Sequence, residues 1–170
     1  KHPTKQVFRY NESAAITSLD PAAARSLEHM WVVDQLYDGL VELNADLDVV
    51  PCVASSWDVD PVTHTYTFHL RQGVTFASGR SVEASDVVFS LERLRDPSVV
   101  SSGGWILDAV IPKGIRAVDD HTVEVQLSHA YPPFLGLLTT AYGAVVDRQH
   151  AQTDGVSLRD QPGGTGPFVL

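Results

Sequence analysis

The sequence predicts a mixed α/β fold of the α+β kind, and three observations predict it. Two short segments alternate strictly between apolar and polar residues, which is the period of a half-buried strand. Two others repeat apolar residues at spacings of three and four, the period of a helix. Turns of varied length, rich in Gly, Pro and Asp, separate them.

In chain order, KQVFRYN (residues 5–11) reads as a short strand around Val7 and Phe8. The small, polar stretch that follows reads as a loop broken at Asp20-Pro21. Met30, Val33, Tyr37 and Leu40, with Leu36 beside them, predict a helix that ends near Gly39. Residues 46–51 read as a turn and a short extended piece. The clearest strand is TYTFHL, 65–70, with Tyr66, Phe68 and Leu70 on one face and Thr65, Thr67 and His69 on the other. Trp57, just before it, is expected in the core. A second helix spans about 84–94, striped by Val87, Leu91 and Leu94. DPSVVSSGG then breaks the chain, and TVEVQL, 122–127, predicts a second alternating strand with Val123, Val125 and Leu127 together. YPPFLGLL starts a short helix behind two prolines, and QPGGTGPFVL is a Gly/Pro loop running into a strand at Phe168-Val169-Leu170. That ending predicts a chain cut from a longer protein.

Bulk composition excludes several functions. The 170 residues can bury a real core, and 44% apolar with 19% charged residues is ordinary for a globular protein. The net charge of −9, from 21 acidic and 12 basic residues, argues against binding nucleic acid or anionic lipid, both of which need clustered Lys and Arg. One cysteine, Cys52, allows no internal disulfide and no thiolate cluster for zinc; it reads as a small buried apolar residue. The opening KHPTKQVFRY holds no charged-then-apolar leader, and composition does not separate a cytoplasmic chain from the mature part of an exported one.

No catalytic constellation emerges. His64 and His69 lie five apart on a strand and point to opposite faces, and His121 and His129 bracket another strand without a carboxylate partner, so no metal set forms. There is no G-x-S-x-G elbow and no Cys/His signature. GGTGPF has proline where a phosphate-binding helix would open, and Asp119-Asp120 reads as a solvated turn. Two aromatics stand out. Trp105, after Gly103-Gly104, is either a packing plug or a platform for a ligand, and Tyr142, among small neighbours, has the same two readings. By elimination the residues favour binding over catalysis.

The order of motifs says more. Leu36 to Leu40 reads LYDGL, Pro51 to Trp57 fits Pro-x-x-Ala-x-x-Trp, and an aromatic strand ends in Leu70-Arg71. Gly73 to Phe76 gives Gly-Val-x-Phe, then come Gly79 and Asp86-Val-x-Phe-Ser90, with VDDHTVEVQLSHAYPPFLGLL and GGTGPFVL downstream. This series resembles the solute-binding proteins of bacterial peptide and nickel ABC importers over nearly the whole chain. The resemblance implies a two-lobed periplasmic-binding-protein-like fold that closes over its ligand. On that comparison residues 1–40 begin lobe I, 41–145 form an inserted subdomain and 146–170 return to a truncated lobe I, with the rest of lobe I and all of lobe II absent.

It also implies an exported protein, periplasmic or on the outer face of the cytoplasmic membrane. Such a protein is a monomer that touches membrane only through a lipid anchor or its ABC permease, and it uses no cofactor. The ligand is a peptide or other small organic solute, and the residues matching the family's contact positions are Arg25, Trp105 and Tyr142. Nickel-chelate binders carry arginine near the position of Tyr142, so a nickel complex is disfavoured. A ligand-sensing module of a transcriptional regulator is the alternative. One departure concerns the second helix: the family's capping Thr is Glu83 here, which predicts a slightly frayed helix start.

Overall fold

The computed structural model describes residues 15–170 together with Val7, Arg9 and Asn11. Of the expected first strand over 5–11, only Val7, Arg9 and Asn11 are described, none of them in a strand, and the rest lies outside the described residues.

Among the described residues four helices and six strands follow one another, with 3-10 turns at Pro21–Ala23, Gly104–Leu107 and Ala141–Gly143. Helix α1 is Leu27–Leu36, and β1 (Val41–Leu43) pairs antiparallel with β2 (Val49–Pro51). Strands β3 (Ala54–Asp60) and β4 (Thr65–Leu70) precede α2 (Ala84–Arg93). Strands β5 (Val110–Asp119) and β6 (Thr122–Leu127), then α3 (Phe134–Leu138) and α4 (Arg148–Ala151), complete the order. β3 to β6 form an antiparallel sheet in the order β3-β4-β6-β5, confirming the mixed α/β class.

Both alternating segments are strands with the predicted bounds, and they are the two central ones. Tyr66 sits opposite Val125 and Phe68 opposite Val123, so the two apolar faces coincide. With Leu70 and Leu127 they are buried, and α2 lays Val87, Leu91 and Leu94 against that face. The core cluster built this way also takes in Ala22, Ala24, Ile106, Leu107, Phe134 and Tyr142. A second, smaller cluster joins Val33, Leu36 and Tyr37 to Ala141, Ala144, Val146 and Leu158.

Four expectations are corrected. α1 stops at Leu36, not near Gly39: Tyr37 is already extended, at φ −137° and ψ 150°. Tyr37 and Leu40 are buried because the chain wraps the core there, not because a helical stripe continues. The start of α2 is not frayed. The Asp86 carboxylate accepts from the Glu83 N–H at 2.9 Å, and the Ala84 N–H donates to the Asp120 carbonyl at 2.8 Å, so the first turn is tied from two sides. Phe168-Val169-Leu170 forms no strand; Phe168 N–H donates to the Gln35 carbonyl at 3.1 Å, beside the Gly166 to Leu36 bond, and the segment follows the end of α1. Trp57 is half-buried on β3 and packs on the core from its edge strand.

The GGTGPF loop has a packing role. A Cβ on Gly164 would lie 2.2 Å from the Leu36 carbonyl oxygen, so only glycine lets this backbone lie against the end of α1. Gly163 N–H donates to the Tyr37 hydroxyl at 3.2 Å, and Thr165 Oγ1 donates to Asp38 at 2.8 Å. Among the described residues no helix is long and apolar enough to cross a membrane.

Candidate functional site

Arg25, Trp105 and Tyr142 are more than a hundred positions apart at the extremes, and the fold brings them together. The segment before α1 is fixed first. Asp20 caps the Pro21–Ala23 turn by accepting from Ala22 N–H at 3.0 Å, and Arg93 of α2 grips the same carboxylate with both terminal nitrogens, at 3.0 and 2.6 Å. The next carbonyls then serve as anchors for the break after α2. Ala22 C=O accepts from Ser102 N–H at 2.9 Å and from Ser101 Oγ at 3.2 Å. Arg25 Nε donates to Ser102 Oγ at 3.0 Å.

Tyr142 locks the arrangement from a third segment. Its hydroxyl donates to the Ala24 carbonyl at 2.5 Å, and its ring lies on Gly103 so closely that a Cβ there would sit 2.3 Å from ring carbons. Trp105 stands edge-on to that ring, with centroids 6.4 Å apart and planes at 80°. Tyr142 is only 7% exposed, whereas Trp105 is 51% exposed and Arg25 is exposed. Burial therefore pushes the Tyr142 hydroxyl up from its ordinary range, partly countered by the nearby Arg25 guanidinium. Of the three, Trp105 and Arg25 are exposed, and Tyr142 is buried beneath them, bonded to Ala24 and packed on Gly103.

The residues that do the holding, Ala22, Ala24, Ser102 and Gly103, were not singled out from sequence. The signal for them is the Gly103-Gly104 pair ahead of a tryptophan, which by residue type reads only as a chain break. Among the described residues no cluster of His, Cys, Asp and Glu could hold a metal.

A second polar constellation lies deeper. Arg80 bonds both Asp86, wholly buried, and Asp147, 2% exposed; its contacts to Asp147 are 3.1 Å from Nε and 2.9 Å from a terminal nitrogen. Ser78 Oγ adds a bond to Asp147 at 2.8 Å and His150 N–H another at 3.1 Å. Burial alone would raise the Asp147 carboxyl, but these donors and the Arg80 charge outweigh it and hold the group below its ordinary range. With every acceptor matched and nothing reactive facing solvent, this group is a clamp between chain segments.

The comparisons decide the family. The family described as "Bacterial extracellular solute-binding proteins, family 5 Middle" matches residues 48–170, well over half of the chain. The chain belongs to that family. This family 5 protein is 34% identical to the periplasmic murein peptide-binding protein MppA of Escherichia coli, over 90% of the chain and 31% of MppA. It is 37% identical to di/tripeptide-binding protein 2 of Pseudomonas aeruginosa, over 72% of the chain and 27% of that protein. A solved structure, the substrate-binding domain of an oligopeptide ABC transporter from Bacillus anthracis, superposes with a TM-score of 0.89 at 27% identity, covering 98% of this chain and 35% of the other. The family 5 chain thus spans about a third of the length of these relatives.

Proposed function

We propose that the protein is an extracytoplasmic receptor, not an enzyme, that captures a peptide-like or other small organic solute and delivers it to an ABC permease. The family match over residues 48–170 carries this reading, and peptide-binding names recur among the relatives. The receptor acts as a monomer in the periplasm or at the outer face of the membrane, with a lipid anchor or the permease as its only membrane contact. Residues 1–40 and 146–170 belong to lobe I and 41–145 to an inserted subdomain. The smaller apolar cluster joins the first and last segments, drawing Val33, Leu36 and Tyr37 from one and Val146 and Leu158 from the other, and takes Ala141 and Ala144 from the end of the subdomain.

Solute contact falls to Trp105 and Arg25, with Tyr142 as their support. A half-exposed indole is a rigid platform of large area, and a planar guanidinium is a fork for carboxylate or carbonyl oxygen. The test is ligand-dependent thermal stabilisation of the whole gene's product with a set of di- to oligopeptides. Trp105→Ala is expected to weaken peptide affinity about tenfold or more while leaving the protein folded. No stabilisation by any peptide would sink the peptide version of the reading.

A further inference from the structure

On the same side of the loop as Arg25 lies a groove of about 330 Å³ whose walls come from both ends of the described chain. Arg25 and Arg159 line it, with Ser18, His29, Ser157 and Asp20. Each arginine is held by its Nε alone: Arg25 to Ser102 Oγ at 3.0 Å, and Arg159 to the Thr17 carbonyl at 2.7 Å. Neither forms an ion pair among the described residues, where both terminal forks have no partner. The one carboxylate in the wall, Asp20, is already taken by the bidentate grip of Arg93 and by Ala22 N–H.

The remaining wall groups point to the same chemistry. Ser18 Oγ accepts from Asp20 N–H and Ser157 Oγ accepts from Arg159 N–H, at 3.1 and 3.3 Å, which leaves both hydroxyl protons to donate. His29 Nε2 accepts from Thr17 N–H at 3.0 Å, so its ring proton sits on Nδ1 and bonds Ser26 Oγ at 3.2 Å. With Nε2 engaged by Thr17 N–H, the ring brings no free acceptor into the groove. In a chain of net charge −9, two unneutralised guanidinium forks in one concavity are a local reversal of sign.

We propose that this groove binds a carboxylate, taken between Arg25 and Arg159 with the Ser18 and Ser157 hydroxyls as further donors, and that it selects solutes bearing a free carboxylate. The selection rests on the receptor function proposed above; anion binding by the groove does not. Carboxylate is the anion that two planar forks match in bidentate geometry. A solute carboxylate here would lie next to the Arg25–Ser102 bond, within one side chain of the segment that carries Trp105.

Two measurements on the product of the whole gene test this. In protein labelled with ¹⁵N-arginine, titration with sodium acetate against chloride at constant ionic strength should shift the Arg25 and Arg159 side-chain signals, assigned by Arg25→Gln and Arg159→Gln. If acetate moves neither signal, the groove is no anion site and the proposal fails. Calorimetry with trialanine and its C-terminal amide should then show the free acid binding more tightly. Arg159→Gln should cut acid affinity about tenfold to a hundredfold and leave amide affinity unchanged, which also shows that the variant is folded. Arg159→Lys should keep part of the preference. Equal binding of acid and amide by the unaltered protein would overturn the selection of carboxylates. If acetate shifts both signals while neither peptide binds, the anion site stands and the peptide reading falls.

Discussion

Replacing Arg80 with Met is the most informative single perturbation of the scaffold. Arg80 is the only cation bonding Asp86 and Asp147 among the described residues, and its side chain is 19% exposed against 0% and 2% for theirs. Methionine keeps an unbranched apolar stem, but it loses the guanidinium, whose carbon stands 4.9 Å from the centroid of the Phe76 ring. What it removes is the charge, and two buried carboxylates are left facing each other's side of the clamp without it. Breaking one buried pair costs about 3–5 kcal/mol. At roughly 2–4 °C per kcal/mol for a domain of this size, the midpoint should fall by about 6–20 °C.

The pH dependence gives that number a second check. The folded Asp147 carboxyl is held below its ordinary 3.8, so its stabilising contribution is complete above that value and is lost as pH falls through the folded one. In Arg80→Met the same carboxyl loses the charge that depressed it. The difference in midpoint between the two proteins should therefore be largest near pH 7 and shrink as pH drops below about 4. Thermal unfolding followed by circular dichroism at both pH values measures it. An Arg80→Met protein as stable as the parent at pH 7, or a difference that widens in acid, would refute the assignment of Arg80 as the counter-charge.

The other predictions concern the site and its neighbours. Gly103→Ala forces a methyl into the Tyr142 ring and should cost about 1–3 kcal/mol, read as a lowered midpoint with an altered near-ultraviolet aromatic spectrum. Tyr142→Phe strips the donor from the Ala24 carbonyl and should cost about 1–3 kcal/mol in chemical denaturation, with the solute preference kept if Trp105 and Arg25 form the contact surface. Cys52, whose thiol burial and the nearby Asp38 and Glu42 charges push up to about 12, should react far more slowly with a disulfide reagent at pH 8 than a free thiol, and rapid labelling would contradict this.

The legible parts of the fold were those where one physical signal acted alone. β4 and β6 are central strands with one face on the core, so alternation marks them plainly. β3 is an edge strand, largely exposed along Ala54–Asp60, and its ASSWDVD carries no alternation to read. β5 hides behind its irregularity: Pro112 and Gly114 flank Lys113, which has φ 59°, and the register shifts between Val110 and Ile115. In α1 two signals were confused, because Tyr37 and Leu40 are buried at helical spacing by a chain that has already left the helix. Glu83 is a weak cap by residue type, and it is Asp86, three positions on, that supplies the bond.

The site was legible only through its side chains, and much of its construction is backbone. Ala22 and Ala24 hold Ser102 and Tyr142 through carbonyl oxygens, and Gly103 contributes the absence of a Cβ. Such contacts leave little trace in residue type beyond smallness, which is why the Ala-Ala-Ala run before Arg25 looked like featureless loop. The division of labour has a consequence for specificity. Because the anchors are main-chain atoms, the exposed Arg25 and Trp105 side chains can be exchanged without undoing the clasp among the three segments. If the protein is the receptor proposed above, it can vary its solute on a constant frame, whereas a methyl at Gly103, which would displace the Tyr142 ring, must disturb frame and solute together. Trp105→Ala and Gly103→Ala, compared for affinity and midpoint in the same protein, separate these two classes of position.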